Sequence, residues 1–170
     1  LKKCNHMFSE ANGIGIREVN SIDKYCIPQD LFEKNYFLQS CAAMFYSWGD
    51  TTPLPTGISH GLKGEIPPGL FDNCPNLLNV NSMFAGQGVI SGLLDGDLFR
   101  FNANIESLNS FVGGCSGITQ LGDGFLSNNK KVNDVYMMFN GCGNMVGTMT
   151  PIWENNYCPN IPASDSTKYQ

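Results

Sequence analysis

One frame of residues recurs through this chain, and it limits the possible folds more than any other feature. With Leu126 as origin, Asn129 lies three residues on, apolar Val132 and Val135 lie at six and nine, and the pair Met138-Phe139 ends the run. From Phe71 the same frame reads Cys74, Leu77, Val80 and Met83-Phe84, and from Phe32 it reads Asn35, Leu38, Cys41 and Met44-Phe45. From Phe99 it reads Asn102, Ile105, Leu108 and Phe111, one residue shorter before the Phe. Leu1, Cys4 and Met7-Phe8 fit its tail, and Ile152-Trp153 with Asn156 fit its head.

Phe8, Phe45, Phe84, Phe111 and Phe139 therefore mark equivalent positions, spaced by 37, 39, 27 and 28 residues. A period of about 20–50 residues marks stacked repeats, in which no unit buries its own apolar face and neighbours do so for one another. The expected fold is an α/β repeat solenoid of about five coils, with short strands and single helical turns. Leu38, Leu77, Ile105 and Val132 should form one buried column, and Cys41, Val80, Leu108 and Val135 the next. Asn35, Cys74, Asn102 and Asn129 form a column of small residues. There, Asn can bond backbone groups that a turning chain leaves unpaired.

The chain reads as one domain over 1–170. Its repeats are expected at about 1–26, 27–65, 66–93, 94–120 and 121–147, with a C-terminal cap at 148–170. It opens inside a frame, which suggests a piece of a longer protein. Glycines follow the later phenylalanines (Gly86 and Gly88, Gly113 and Gly114, Gly141 and Gly143), implying tight corners with positive φ or close approach of two segments.

Composition excludes several functions. A net charge of −5 with ten Lys and Arg provides no footprint for phosphate backbones, so nucleic acid is not an expected partner. No apolar run approaches the roughly 20 residues that cross a bilayer, so no membrane insertion is expected. The seven cysteines lack CxxC spacing, and Cys4, Cys41, Cys74, Cys115 and Cys142 lie on or beside repeat columns. They read as small packing residues rather than metal ligands. Neither His6 nor His60 has metal-ligand spacing, and nucleophile elbows, HExxH and phosphate-binding loops are lacking. Asp95, Asp97 and Asp123 could mimic a glycosidase pair or a calcium site, but at turns between repeats they read as turn formers. No catalysis, metal or cofactor is expected.

A candidate binding site follows from where extra residues fall. The two long phenylalanine spacings exceed the shortest by 10 and 12 residues, and both surpluses lie after Met-Phe and before the next frame. Insertions at one frame position should emerge from one edge and meet. Residues 9–26 and 46–65 would then build a surface carrying Tyr25, Tyr46, Trp48, Asp50 and His60. Phe45, Phe84, Phe111 and Phe139 are assigned to the core by their periodicity.

Two motifs carry a family resemblance. MFNGC at 138–142 and MFAGQ at 83–87 alternate with IPQDLF at 27–32 and IPPGLF at 66–71. The pattern resembles the BspA-like leucine-rich repeats of bacterial surface proteins, which accept Asn or Cys in one column. Pro151-Ile152-Trp153 is similar to terminal repeats of tail-fibre or adhesin-like proteins from gut bacteria and their phages. The chain departs from that pattern in its two long insertions and in Gln87, which stands where the family has Cys. The resemblance implies a leucine-rich-repeat-like fold and a non-enzymatic recognition module, extracellular, on a virion tail fibre or bacterial cell surface. It would bind a host-cell surface protein or glycan and join other parts of a larger fibre or surface protein. The alternative is a structural spacer without its own ligand.

Overall fold

The computed structural model describes residues 1–9, 24–47, 61–146 and 158–161. Among them there is no helix, and strand is confined to β1 (Ser91–Leu94) and β2 (Gly117–Leu121). These pair in parallel, Ser91 with Gly117 and Leu94 with Leu121, with a register shift between Gly92 and Leu93. The expected α/β repeat solenoid, leucine-rich-repeat-like with about five coils of short strands and single helical turns, is therefore corrected to a small fold of low regular structure. Most of the C-terminal segment 148–170, expected as a cap, lies outside the described residues.

The reason is local. Lys3, Ser40, Asn79, Ser107 and Asp134 are joined in succession by single parallel bridges. Three residues after each one stands a non-glycine residue with positive φ: His6 (55°), Ala43 (52°), Ser82 (53°), Ser110 (52°) and Met137 (52°). A left-handed residue turns the chain, so pairing cannot run on into a strand. Hydrogen bonding between segments nevertheless continues through the turn. Cys41, Ala43, Phe45 and Ser47 donate to the carbonyls of Asn79, Asn81, Met83 and Ala85 at 2.7–3.1 Å.

The left-handed conformation costs an L-residue about 1–2 kcal/mol, whereas glycine adopts it freely at an entropic cost of about 0.5–1 kcal/mol. Met137 is the most informative position, since it is 37 % exposed and is not part of the core cluster. Met137→Gly is expected to raise Tm by about 1–3 °C, and Met137→Val, β-branched at positive φ, to lower it. Thermal melts that rank the two variants the other way would contradict this account.

Side chains from all the segments share one core. Leu38, Leu77, Ile105 and Val132 are buried, as are Cys41, Val80, Leu108 and Val135. Phe8, Phe45 and Phe84 stack nearly parallel, with centroids 5.5 and 5.6 Å apart, and Phe111 meets Phe84 edge-on at 5.6 Å. A second line runs through Phe32, Phe71 and Phe99 at 5.6 and 5.3 Å. In the last frame, where the order is Phe125-Leu126 rather than Leu-Phe, the ring facing Phe99 comes from Phe125, at 5.8 Å, and Leu126 takes a positive φ of 65°.

On the other side, single bridges join Tyr25 to Glu65 and Gly64 to Ile90, and Gln120 of β2 to Val146. The inward side chains there are Ile90, Leu94 and Ile118, while Leu93 and Gln120 face out. At the end of the β1–β2 pair, Gly96 and Gly122 let the two backbones touch; a Cβ on Gly96 would overlap the Asp123 carbonyl. Gly86, Gly114 and Gly141, each at φ 79°, form the corner that follows the phenylalanines.

Candidate functional site

Of the five residues expected to form a binding surface, Trp48, Asp50 and His60 lie outside the described residues. Tyr25 and Tyr46 are both half-buried. Tyr25 is bridged to Glu65, and the Lys24 ammonium sits 3.0 Å from the Glu65 carboxylate and 5.6 Å from the centre of the Tyr25 ring. The ends of the two longer passages, at 24–26 and 64–65, are thus joined through backbone bonds of 2.8–2.9 Å. Tyr46 follows Phe45 and donates its N–H to the Ala43 carbonyl at 3.2 Å. No hydrogen bond or ring contact joins Tyr25 to Tyr46 among the described residues.

The column of small residues serves buried carbonyls. The Asn102 amide donates to the carbonyls of Phe71 (3.0 Å) and Cys74 (2.8 Å), and the Asn129 amide to those of Phe99 (3.1 Å) and Asn102 (2.9 Å). The Cys74 thiol points at the Phe32 carbonyl at 3.9 Å. Asn35, half-buried, reaches only the Leu31 carbonyl, at 3.4 Å. Phe45, Phe84, Phe111 and Phe139 are buried.

A different constellation emerges along the row of bridges. Asn5 Oδ1 accepts the Ser40 hydroxyl at 2.7 Å and the Ala42 N–H at 3.1 Å. Asn79 Oδ1 accepts the Asn81 N–H at 2.8 Å, and Asn81 Oδ1 accepts the Asn109 N–H at 3.0 Å. The Ser107 hydroxyl lies between Asn81 Oδ1 at 2.5 Å and Asp134 Oδ2 at 3.0 Å, with one proton to share. Asp134 also takes the Tyr136 N–H at 3.1 Å and the Asn109 amide at 3.3 Å.

This pattern settles the orientation of three amides. A backbone N–H can only donate, so the atom facing it must be the amide oxygen, and the nitrogen is turned the other way. The amide nitrogens of Asn5, Asn79 and Asn81 have no acceptor among the described residues. Asn5 is exposed and the other two are half-buried.

Sequence reasoning passed over this row, although its signal is present. Polar residues flank the second apolar column: Lys3 and Asn5 around Cys4, Asn79 and Asn81 around Val80, Ser107 and Asn109 around Leu108, Asp134 and Tyr136 around Val135. Alternation of this kind places such residues on the solvent face of a paired segment.

The thiols do not titrate alike: Cys4 is lowered by its hydrogen bond with Cys41, and the other six are raised. Burial pushes Cys74 and Cys142 up to about 11, and Cys26 and Cys158 up to about 12. Cys115 is raised further by the same cause, and Cys41 is raised by its hydrogen bond with Cys4 and by burial. The six raised thiols stay protonated at neutral pH, where the reactive form would be the thiolate. Among the described residues no cluster of His, Cys, Asp or Glu could hold a metal ion. Asp95 acts as a turn former, its Oδ1 accepting the Asp97 N–H at 2.8 Å, and Asp72 is paired with Arg100 at 2.6 Å. No helix among the described residues is long and apolar enough to cross a membrane.

Comparison of the chain with family models, with curated proteins and with solved structures finds no match.

Proposed function

We propose that this chain is a non-enzymatic recognition module displayed outside the cell, on a virion tail fibre or a bacterial surface, where it binds a host-cell protein or glycan. This is the role implied by the resemblance of its MFxGC-type and IPxxLF motifs to BspA-like surface proteins. The observation that carries it is the row of pre-oriented amides: Asn5, Asn79 and Asn81 hold their oxygens inward and leave their nitrogens without an acceptor among the described residues. Donors held in place by the scaffold lose little freedom when a ligand arrives, which is how a rigid face gains affinity.

The test is attachment of the fluorescently labelled chain to intact cells of gut bacteria and their hosts. Saturable attachment is expected. If it disappears when residues 48–61 are replaced by the short Gly86-Gln87-Gly88 corner, the contact lies on the long connection; if it persists, the row remains the contact surface. A folded chain that attaches to none of these cells would overturn the recognition role and favour a spacer without its own ligand.

A further inference from the structure

We infer that the row's ligand is a glycan, a chain of sugar rings whose hydroxyl, ring and carboxyl oxygens accept from the amides of Asn5, Asn79 and Asn81. The inference rests on the recognition reading above and narrows it to one ligand class. Its starting point is the imbalance of the row. The acceptor atoms are spent inward: Asn5 Oδ1 on Ser40 and Ala42, Asn79 Oδ1 on Asn81, Asn81 Oδ1 on Ser107 and Asn109, and Asp134 on Asn109 and Tyr136. The Ser40 and Ser107 hydroxyl protons are spent as well. What faces outward from these three amides is donors alone.

Three amides that offer only donors select among ligands. An extended peptide added alongside would need donors and acceptors in alternation, since its backbone carries both. A protein partner docking by side chains would want a desolvated apolar or aromatic centre, whereas here the centre is amide and hydroxyl. A sugar chain presents several oxygens on every ring, enough to meet the paired amides of Asn79 and Asn81 on one segment and that of Asn5 two segments away.

The row also ends on an aromatic ring. Tyr136 occupies the position equivalent to Asn5, Asn81 and Asn109, beside Asn109 through the Ser110 N–H bond to the Tyr136 carbonyl at 2.8 Å. It is 46 % exposed. Such a ring has an apolar face for the C–H side of a sugar and a hydroxyl that stays wet, a division of labour that amphipathic aromatics perform at interfaces.

The decisive variants exchange Asn for Asp. Asn79→Asp and Asn81→Asp keep an oxygen facing inward for the Asn81 and Asn109 N–H groups, change the outward atom from donor to acceptor, and add a negative charge at each position. The double variant should melt within a few degrees of the parent chain. Attachment to cells that the parent binds should fall by tenfold or more, about one lost hydrogen bond with its partner left unpaired. Tyr136→Ala, at an exposed position, should weaken attachment by about tenfold without altering the melt. Mild periodate oxidation of the cells, which cleaves vicinal diols, should abolish attachment, and protease treatment should spare it.

Each contrary result is separable. Undiminished attachment by both the Asp double variant and Tyr136→Ala would overturn the row as the site. Attachment sensitive to protease and indifferent to periodate would overturn the glycan in favour of a protein, leaving the recognition role intact. Absence of attachment by the parent chain would overturn that role itself, and the glycan with it.

Discussion

Gln87→Glu is expected to give this chain a stability that falls steeply between acid and neutral pH, with about 3–5 kcal/mol lost at pH 7.5. Gln87 is only 4 % exposed and binds with both ends of its amide. Its nitrogen donates to the Phe45 carbonyl and its oxygen accepts the Leu62 N–H at 2.7 Å. In the equivalent places the Cys115 and Cys142 thiols point at the Phe84 and Val112 carbonyls at 3.1 and 3.3 Å, so a donor to that carbonyl recurs. Only Gln87 adds an acceptor, and it thereby holds both ends of the 46–61 connection, beside a Gly61 at φ 87° where a Cβ would overlap the amide oxygen.

A carboxylate in this place could still accept from Leu62 but would set its charge against the Phe45 carbonyl. A protonated carboxyl would restore both bonds. Burial and the facing carbonyl both raise the folded-state pKa of the introduced group above its unfolded value of about 4.3. Stability is then fully present below about pH 4.3, falls as pH rises toward the folded pKa, and is level above it. The parent chain carries no titrating group at this position. Urea midpoints at pH 4 and pH 7.5, for parent and variant side by side, measure the effect. Parallel pH profiles would show that residue 87 is not clasped between Phe45 and Leu62.

The second large effect is expected at Asn129. Its side chain is 1 % exposed and its amide serves two buried carbonyls, those of Phe99 and Asn102. Asn129→Ala removes both bonds and the packing of a side chain that is almost wholly buried. An unsatisfied buried polar group costs about 1–3 kcal/mol, so losing both bonds and the packing should destabilise the chain by about 3–5 kcal/mol. Asn35→Ala is the internal control: that amide is half-buried and makes one long bond of 3.4 Å, so the loss should stay under about 1 kcal/mol. Chemical denaturation that finds the two substitutions equal would mean that the column does not carry the load assigned to it.

Asn102 shows the cost accepted for this arrangement. Its nitrogen bonds two carbonyls while its own oxygen is buried without a partner. Turning segments present carbonyls to the column from two sides and few N–H groups, so a donor is needed there more than an acceptor. This is also why a thiol is tolerated at Cys74: it is small and has a proton to give.

Residue spacing alone determined which side chains leave water together. The intervals of three that link Leu77 with Val80, or Val132 with Val135, marked buried positions, and the recurring Asn and Cys marked a column of donors. The glycine corners at Gly86, Gly114 and Gly141 were legible for the same reason, since glycine is the residue that takes positive φ without strain. What the chain does between those points was not legible. His6, Ala43, Ser82, Ser110 and Met137 share one left-handed conformation although they are of four residue types, so no local preference announces the turn that stops the bridged row from extending into strands. The two-ended grip of Gln87 and the outward amides of Asn79 and Asn81 are likewise tertiary decisions. Their form depends on partners in other segments or on which N–H groups the neighbouring segment leaves unpaired, and only packed segments decide which carbonyl or N–H is there to be met.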